Sequence, residues 1–235
     1  MPLQESFDGV VESRRSSGAV PRRSRSPRTT AVTEETVASI LEGAARAFGR
    51  LGYAATRVED VLEASGLSRP TFYKAFKDKD DLFEALSDAH HREIRERIVT
   101  SLAGVSDPLE QLENVVDAFM RWRAELGPIG RVLDQEARSG KRLTQHRRET
   151  LEAMSNWAAA QFRASGRGDL DPLLVHGLIG AMEAIADALL SKLPAQEASI
   201  ERAKRIALRI LAGSLADAGD AIPPMPVLSD KPRLR

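Results

Sequence analysis

From Thr33 onward the apolar residues of this chain recur three and four positions apart, and no run alternates apolar with polar long enough to make a strand face. That periodicity leaves helices as the building material. The first stripe is Val37, Ile40, Leu41, Ala44, Ala45 and Phe48, on a helix from about Thr33 to Arg50 that Gly52 closes. Over 235 residues, 42% hydrophobic against 29% charged residues is enough apolar material for these stripes to bury one another.

Start and stop signals divide the rest. Thr56 with Glu59 three residues on reads as a capping box that opens a short second helix through Ser65. Gly66-Leu67-Ser68 is a tight turn, and Ser68 can cap a third helix from Arg69 to about Phe76, with Pro70 in its first turn. Asp78 can cap a long fourth helix whose first turn carries Asp80 and Asp81. Asp107-Pro108 and Asp171-Pro172 each set a capping carboxylate before a proline, starting helices at about 108–126 and 172–193. Further helices at about 129–138, 144–165 and 196–218 bring the predicted count to nine, an all-α fold. Four regions follow: residues 1–30, Arg-rich, without hydrophobic period and expected to be disordered alone; a three-helix head, 31–79; a helical body, 80–218; and a Pro-rich tail, 219–235.

Several function classes drop out on composition. With no cysteine there is no disulfide, thiolate zinc site or thiol nucleophile. No HExxH, nucleophile–base motif or phosphate-binding Gly-rich loop is present, and the four histidines (His90, His91, His146, His176) lack ligand spacing. No enzyme, metal or cofactor is therefore expected. The most apolar segment, Leu173 to Leu190, contains His176, Glu183 and Asp187, which argues against a membrane span. The first 30 residues hold no signal-peptide pattern, so a cytoplasmic location is expected. Lys plus Arg equals Asp plus Glu at 34 each, so binding to a polyanion must rest on locally placed charge.

The two short helices around Gly66-Leu67-Ser68 have the size and turn of a helix-turn-helix. Val58, Val61, Leu62, Leu67, Phe72 and Phe76 can form a small core with the first helix, which leaves Arg69, Thr71, Tyr73 and Lys74 outward on the third. Short or hydrogen-bonding side chains near a helix N-terminus are what reach base edges in a major groove. Thr56 and Lys79, at helix starts, suit phosphate, which backbone N–H groups and the helix dipole attract. A plain three-helix subdomain with solvated polar residues has the same periodicity, so the pattern alone leaves both readings open.

The run TRVEDVLEASGLSRPTFYKAFKDKDDLFEAL, preceded by ILEGAARAFGRLGY, resembles the DNA-binding head of the tetracycline-repressor (TetR) family of bacterial regulators. The matching positions include Ala44, Ala45, Phe48, Gly52, Tyr53, Thr56, Gly66, Leu67, Ser68, Phe72, Tyr73, Phe76, Lys79 and Leu82, with every spacing kept. The chain departs from that pattern at Leu62, where Ala is usual, at Ala75, where His or Tyr is frequent, and at Pro70, where Gly is common. The resemblance implies that Thr56, Tyr73 and Lys79 clamp the DNA backbone, while Ser68, Arg69, Thr71 and Lys74 contact bases or nearby phosphates. Tyr73 as a half-buried aromatic and Lys79 as a solvated lysine are the bland alternatives. Residues 31–100 carry 10 basic and 13 acidic side chains, so bulk charge does not supply affinity. Six arginines between 14 and 28, with no acid among them, form an arm that either meets DNA or merely solubilises the chain.

The helix at 172–193 is apolar over more than one stripe and must be buried on both sides, within one chain or against a second. The resemblance favours a homodimer through this helix and the last one, using Leu178, Met182, Ile185, Leu189, Ile206 and Ile210. It also implies a body that holds an apolar small-molecule effector. Phe119, Trp122, Met154 and Trp157 are its candidate walls, with Gln135, Glu136 and His176 as polar anchors. The function implied is a ligand-responsive repressor that binds a near-palindromic double-stranded operator as a dimer. An all-helical ligand carrier or enzyme that has lost DNA binding is the rival.

Overall fold

The computed structural model describes residues 32–139, 141–164, 166, 170–190 and 194–216; the Arg-rich segment 1–30 and the tail 219–235 lie outside them. The described residues form nine helices and no strand: α1 Glu34–Leu51, α2 Val58–Ser65, α3 Arg69–Ala75, α4 Lys79–Leu102, α5 Pro108–Leu126, α6 Pro128–Ser139, α7 Lys141–Ala164, α8 Pro172–Leu190 and α9 Glu197–Leu215. Their ends follow local chemistry. The Thr33 hydroxyl accepts from the Thr36 N–H at 3.2 Å, and at the far end of α1 the N–H of Gly52 (φ +78°) reaches Phe48 O at 2.8 Å. Asp78 accepts from the Asp81 N–H and Asp107 from the Glu110 N–H, both at 2.8 Å. Asp171 accepts from the Leu173 N–H, also at 2.8 Å.

One cap differs from the sequence reading. Helix α2 starts at Val58, and Asp60 rather than Glu59 closes its first turn, accepting the Arg57 N–H at 2.7 Å. Thr56 lies outside the helix and turns its hydroxyl back to Gly52 O, at 2.6 Å.

The chain divides into two compact units. The first contains α1 to α3, α4 as far as Glu93, α6, α7 and α8 as far as His176. Its core holds Ile40, Ala44, Ala47, Phe48, Val61, Phe72, Phe76, Leu82, Phe83 and Leu86, joined by Ile129 and Leu133 of α6. Phe48 meets Phe83 edge-on at 5.0 Å, and a fully buried phenylalanine contributes about 1.5–3 kcal/mol. Two glycines set how closely α1 is approached. A Cβ on Gly43 would stand 2.7 Å from Ser65 Cβ at the end of α2, and one on Gly49 would stand 3.3 Å from Ile129 N at the start of α6.

The second unit contains the remainder of α4, α5, the rest of α8, and α9. Helix α5 is tied to α8 by Arg123 and Asp187 (2.5 Å), the arginine being only 4% exposed. It is tied to α9 by Arg121 with Glu197 (3.0 Å) and by Lys204 with Asp117 (2.6 Å). The link between α4 and α5 is closed by Asn114 donating to Ser101 O (3.1 Å) and Gln111 donating to Val105 O (2.8 Å). Helix α8 is, among the described residues, the one long and apolar enough to cross a bilayer by length and composition. Its Glu183 is nevertheless buried and its Asp187 paired, as in the core helix of a globular unit.

Candidate nucleic-acid interface

The turn between α2 and α3 is built by Gly66 in the left-handed region (φ +69°), whose N–H closes α2 onto Leu62 O at 2.9 Å. Two residues on, Ser68 caps α3 by accepting the Thr71 N–H, while its hydroxyl and that of Thr71 share a hydrogen bond of 2.9 Å. The end of α2 is held to α1 as well, because Arg46 donates to Ala64 O at 2.6 Å. A seven-residue helix as short as α3 is not stable alone. It persists because Phe72 and the following Phe76 are buried in the core of the first unit.

Anchoring those two rings fixes what the opposite side of α3 shows. Tyr73 is 50% exposed, its ring edge-on to Phe72 at 5.2 Å. Lys74, Ser68, Arg69 and Pro70 are exposed, and Thr71 is half-buried. Arg69 is paired with Glu59 of α2, so part of its charge is already answered. Lys77, just past the helix, is another exposed cation that the sequence reading passed over; it stands 4.0 Å from Asp78. The face thus brings together a phenol, an aliphatic ammonium, two hydroxyls at a helix start and a guanidinium, all suited to phosphate or base edges.

Two residues assigned to this face by sequence belong elsewhere. Thr56 is 1% exposed and its hydroxyl is bonded to Gly52 O, so its side chain does not reach solvent. Lys79 is turned inward: its ammonium donates to the carbonyl oxygens of Tyr53 (2.9 Å) and Thr56 (3.0 Å) and lies 4.4 Å from the Tyr53 ring centroid. Its side chain is thus directed into the protein rather than held out in solvent. Tyr53 donates in turn to the Asp80 carboxylate, and burial, followed by that bond, pushes its pKa well above the ordinary phenol range.

The residues proposed for an effector are divided between the two units. Phe119 and Trp122 lie in the second, with ring centroids 5.8 Å apart. Trp122 is buried and its Nε1–H finds no acceptor among the described residues. Met154, Trp157, Glu136 and His176 lie in the first, all of intermediate exposure, and the buried Nε2 of His176 likewise has no partner among the described residues. Gln135 is exposed, which corrects its place as a cavity anchor; the neighbouring Asp134 is the buried residue, one position round the helix. The sequence reading also passed over Arg123, which is buried where a guanidinium normally stays wet.

Among the dimer candidates, Leu178 and Met182 are covered within the protomer and belong to its core, a correction to their assignment as interface. Ile185, Leu189 and Ile206 are half-covered, and Ile210 is 37% exposed. The open side of α8 instead carries Gly177, Ala184 and Ala188. A Cβ added at Gly177 or Gly180 would meet nothing within 4 Å among the described residues.

Known proteins place this architecture. The pattern of the family described as bacterial regulatory proteins, tetR family, matches residues 40–86, from the buried Ile40 of α1 to Leu86 of α4. The HTH-type transcriptional regulator TtgR of Pseudomonas putida is 41% identical over 64 residues, which is 27% of this chain and 30% of that protein. The chain thus aligns with about a third of the length of that relative. The HTH-type transcriptional repressor Rv1474c of Mycobacterium tuberculosis is 30% identical over 160 residues, covering 67% of this chain and 82% of the relative. Among solved structures, SmeT, the repressor of the Stenotrophomonas maltophilia multidrug efflux pump SmeDEF, aligns with a TM-score of 0.60 at 21% identity, over 83% of this chain and 100% of that one. The fatty acid degradation regulator FadR from Bacillus halodurans aligns with a TM-score of 0.62 at 15% identity, over 79% and 97%. These two show a shared fold. With a relative matched at 30% identity over four-fifths of its length, and the helix-turn-helix residues in the positions just described, the chain belongs to the tetR family of bacterial regulatory proteins.

Proposed function

We propose that this chain is a transcriptional repressor of the cytoplasm, binding a near-palindromic duplex operator as a homodimer and released by a small molecule. One observation carries the DNA-binding part. Phe72 and Phe76 are locked in the core, which obliges α3 to present Tyr73, Lys74 and the Ser68–Thr71 pair outward. In this reading residues 31–79 are the DNA-binding domain. Ser68, Arg69, Thr71 and Lys74 read bases or adjacent phosphates, and Tyr73 holds the backbone. Residues 80–218 provide dimerisation and effector binding, with the exposed faces of α8 and α9 meeting a second copy.

The palindrome follows from the dimer proposed, if its two copies are related by a two-fold axis. Recognition helices related by a dyad reach successive major grooves when they stand about 34–36 Å apart, so each half-site repeats inverted. Release follows if an effector prefers a head spacing that no longer matches the grooves, a coupling free energy of about 1–3 kcal/mol in ordinary cases. Phe119 and the buried Trp122, whose N–H lacks an acceptor among the described residues, are the aromatic part of the body offered to an apolar effector with one hydrogen-bond acceptor.

The test is enrichment of bound duplexes from a random pool by the full chain. A two-fold symmetric consensus is expected, and Thr71→Ala is expected to alter its preferred bases. Tyr73→Ala is expected to weaken all sequences alike, by about 1–3 kcal/mol. A pool that shows no enrichment removes the function proposed.

A further inference from the structure

An ammonium group has three N–H donors and no acceptor. In Lys79 two of them are taken by the carbonyl oxygens of Tyr53 and Thr56, at 2.9 and 3.0 Å. The charge also lies over the Tyr53 ring, 4.4 Å from its centroid, where the ring quadrupole attracts a cation. The Tyr53 hydroxyl returns the tie by donating to the Asp80 carboxylate, one residue beyond Lys79. Thr56, buried between, donates to Gly52 O at 2.6 Å. Every polar group of the connection from α1 to α2 named here is thus engaged by that connection itself or by the first turn of α4.

The same turn is unfavourable ground for a phosphate. Asp78, Asp80 and Asp81 crowd it. Asp78 already takes the Asp81 N–H, and Asp81 takes the Lys77 N–H, both at 2.8 Å. An incoming phosphodiester meets three carboxylates and a lysine with two of its three donors committed.

We infer that Lys79 is a positioning residue for DNA recognition, one that locks the Tyr53–Thr56 turn to α4 and so fixes α2 and α3 without touching the duplex itself. This rests on the DNA-binding reading above. The two roles a lysine can play here differ in their salt dependence. A lost phosphate contact lowers the slope of log K against log salt by about 0.9, whereas a loosened head lowers affinity at constant slope.

The experiment uses the full chain, the selected duplex and a series of salt concentrations, together with amide hydrogen exchange of the DNA-free chain. Lys79→Gln is expected to weaken binding roughly tenfold with the slope unchanged, and to speed exchange across residues 53–65. Lys74→Gln, at an exposed position on α3, is the contrast and is expected to lose about 0.9 of slope. Tyr53→Phe keeps the ring but removes the bond to Asp80, and is expected to act like Lys79→Gln to a smaller degree; it carries the test should Lys79→Gln not fold. A slope reduced by about 0.9 in Lys79→Gln, unchanged affinity, or unchanged exchange overturns the inference. If no duplex binds the wild type, faster exchange in the variant locates the failure in the DNA-binding reading, and unchanged exchange locates it in the tie as well.

Discussion

His90 is largely covered on α4, with Glu93 beside its Nδ1 at 3.6 Å and its Nε2 meeting no partner among the described residues. Burial disfavours the imidazolium more than Glu93 favours it, so its pKa lies below the ordinary value of 6.5. A histidine depressed in the folded state binds fewer protons there than in the unfolded chain. Stability therefore falls as pH drops below about 6.5, and the loss stops growing once pH passes the folded pKa. Urea unfolding at about pH 7.5 and pH 5.5 should show His90→Gln losing less stability on acidification than wild type; equal losses refute the assignment. At this scale the sequence was partly legible. Ser68 and Asp78 stand as caps because a cap is decided within three residues. The inward placement of Thr56 and Lys79 is not legible there because their partners are set by folding: the Lys79 partners Tyr53 and Thr56 lie 26 and 23 residues away. Local spacing carries no record of such bonds.

Elements were more legible than residues, because apolar period, caps and Gly or Pro boundaries all act over one or two turns. Helix α5 begins and ends where Asp107-Pro108 and Gly127 place it. What the pattern does not disclose is which helix faces which. Gly43 lies inside α1, where glycine weakens a helix, yet α2 packs tightly against it: a Cβ there would stand 2.7 Å from Ser65 Cβ. Gly43→Val should therefore destabilise the chain by about 1–3 kcal/mol, despite the valine's added apolar area. Thermal unfolding measures it, and a variant as stable as wild type would show that α1 and α2 separate at little cost. Likewise, the pairing of α9 with α5 through Arg121, Glu197, Lys204 and Asp117 follows from side chains 76 to 87 residues apart.

For the whole molecule, the division into two compact units groups α6 and α7 with the head, whereas a reading by sequence alone breaks after residue 79. Chain order shows where segments end but not which of them share a core. The dimer proposed through α8 and α9 belongs to this scale. Leu178 and Met182 are covered in the single chain, so a second copy must meet Gly177, Ala184, Ala188 and Ile210. Ala184→Arg puts a charge on that face without entering the protomer core, and sedimentation should then report monomers with unchanged helix content. A dimer that persists would move the interface elsewhere.

The decisive measurement is methylation interference at guanine N7, a major-groove atom, on the selected duplex bound by the full chain. Two clusters of interference, about 10 base pairs apart and symmetric about the centre, are predicted from two copies of α3 in successive major grooves. Interference confined to one cluster, or none while the complex still forms, would contradict the account.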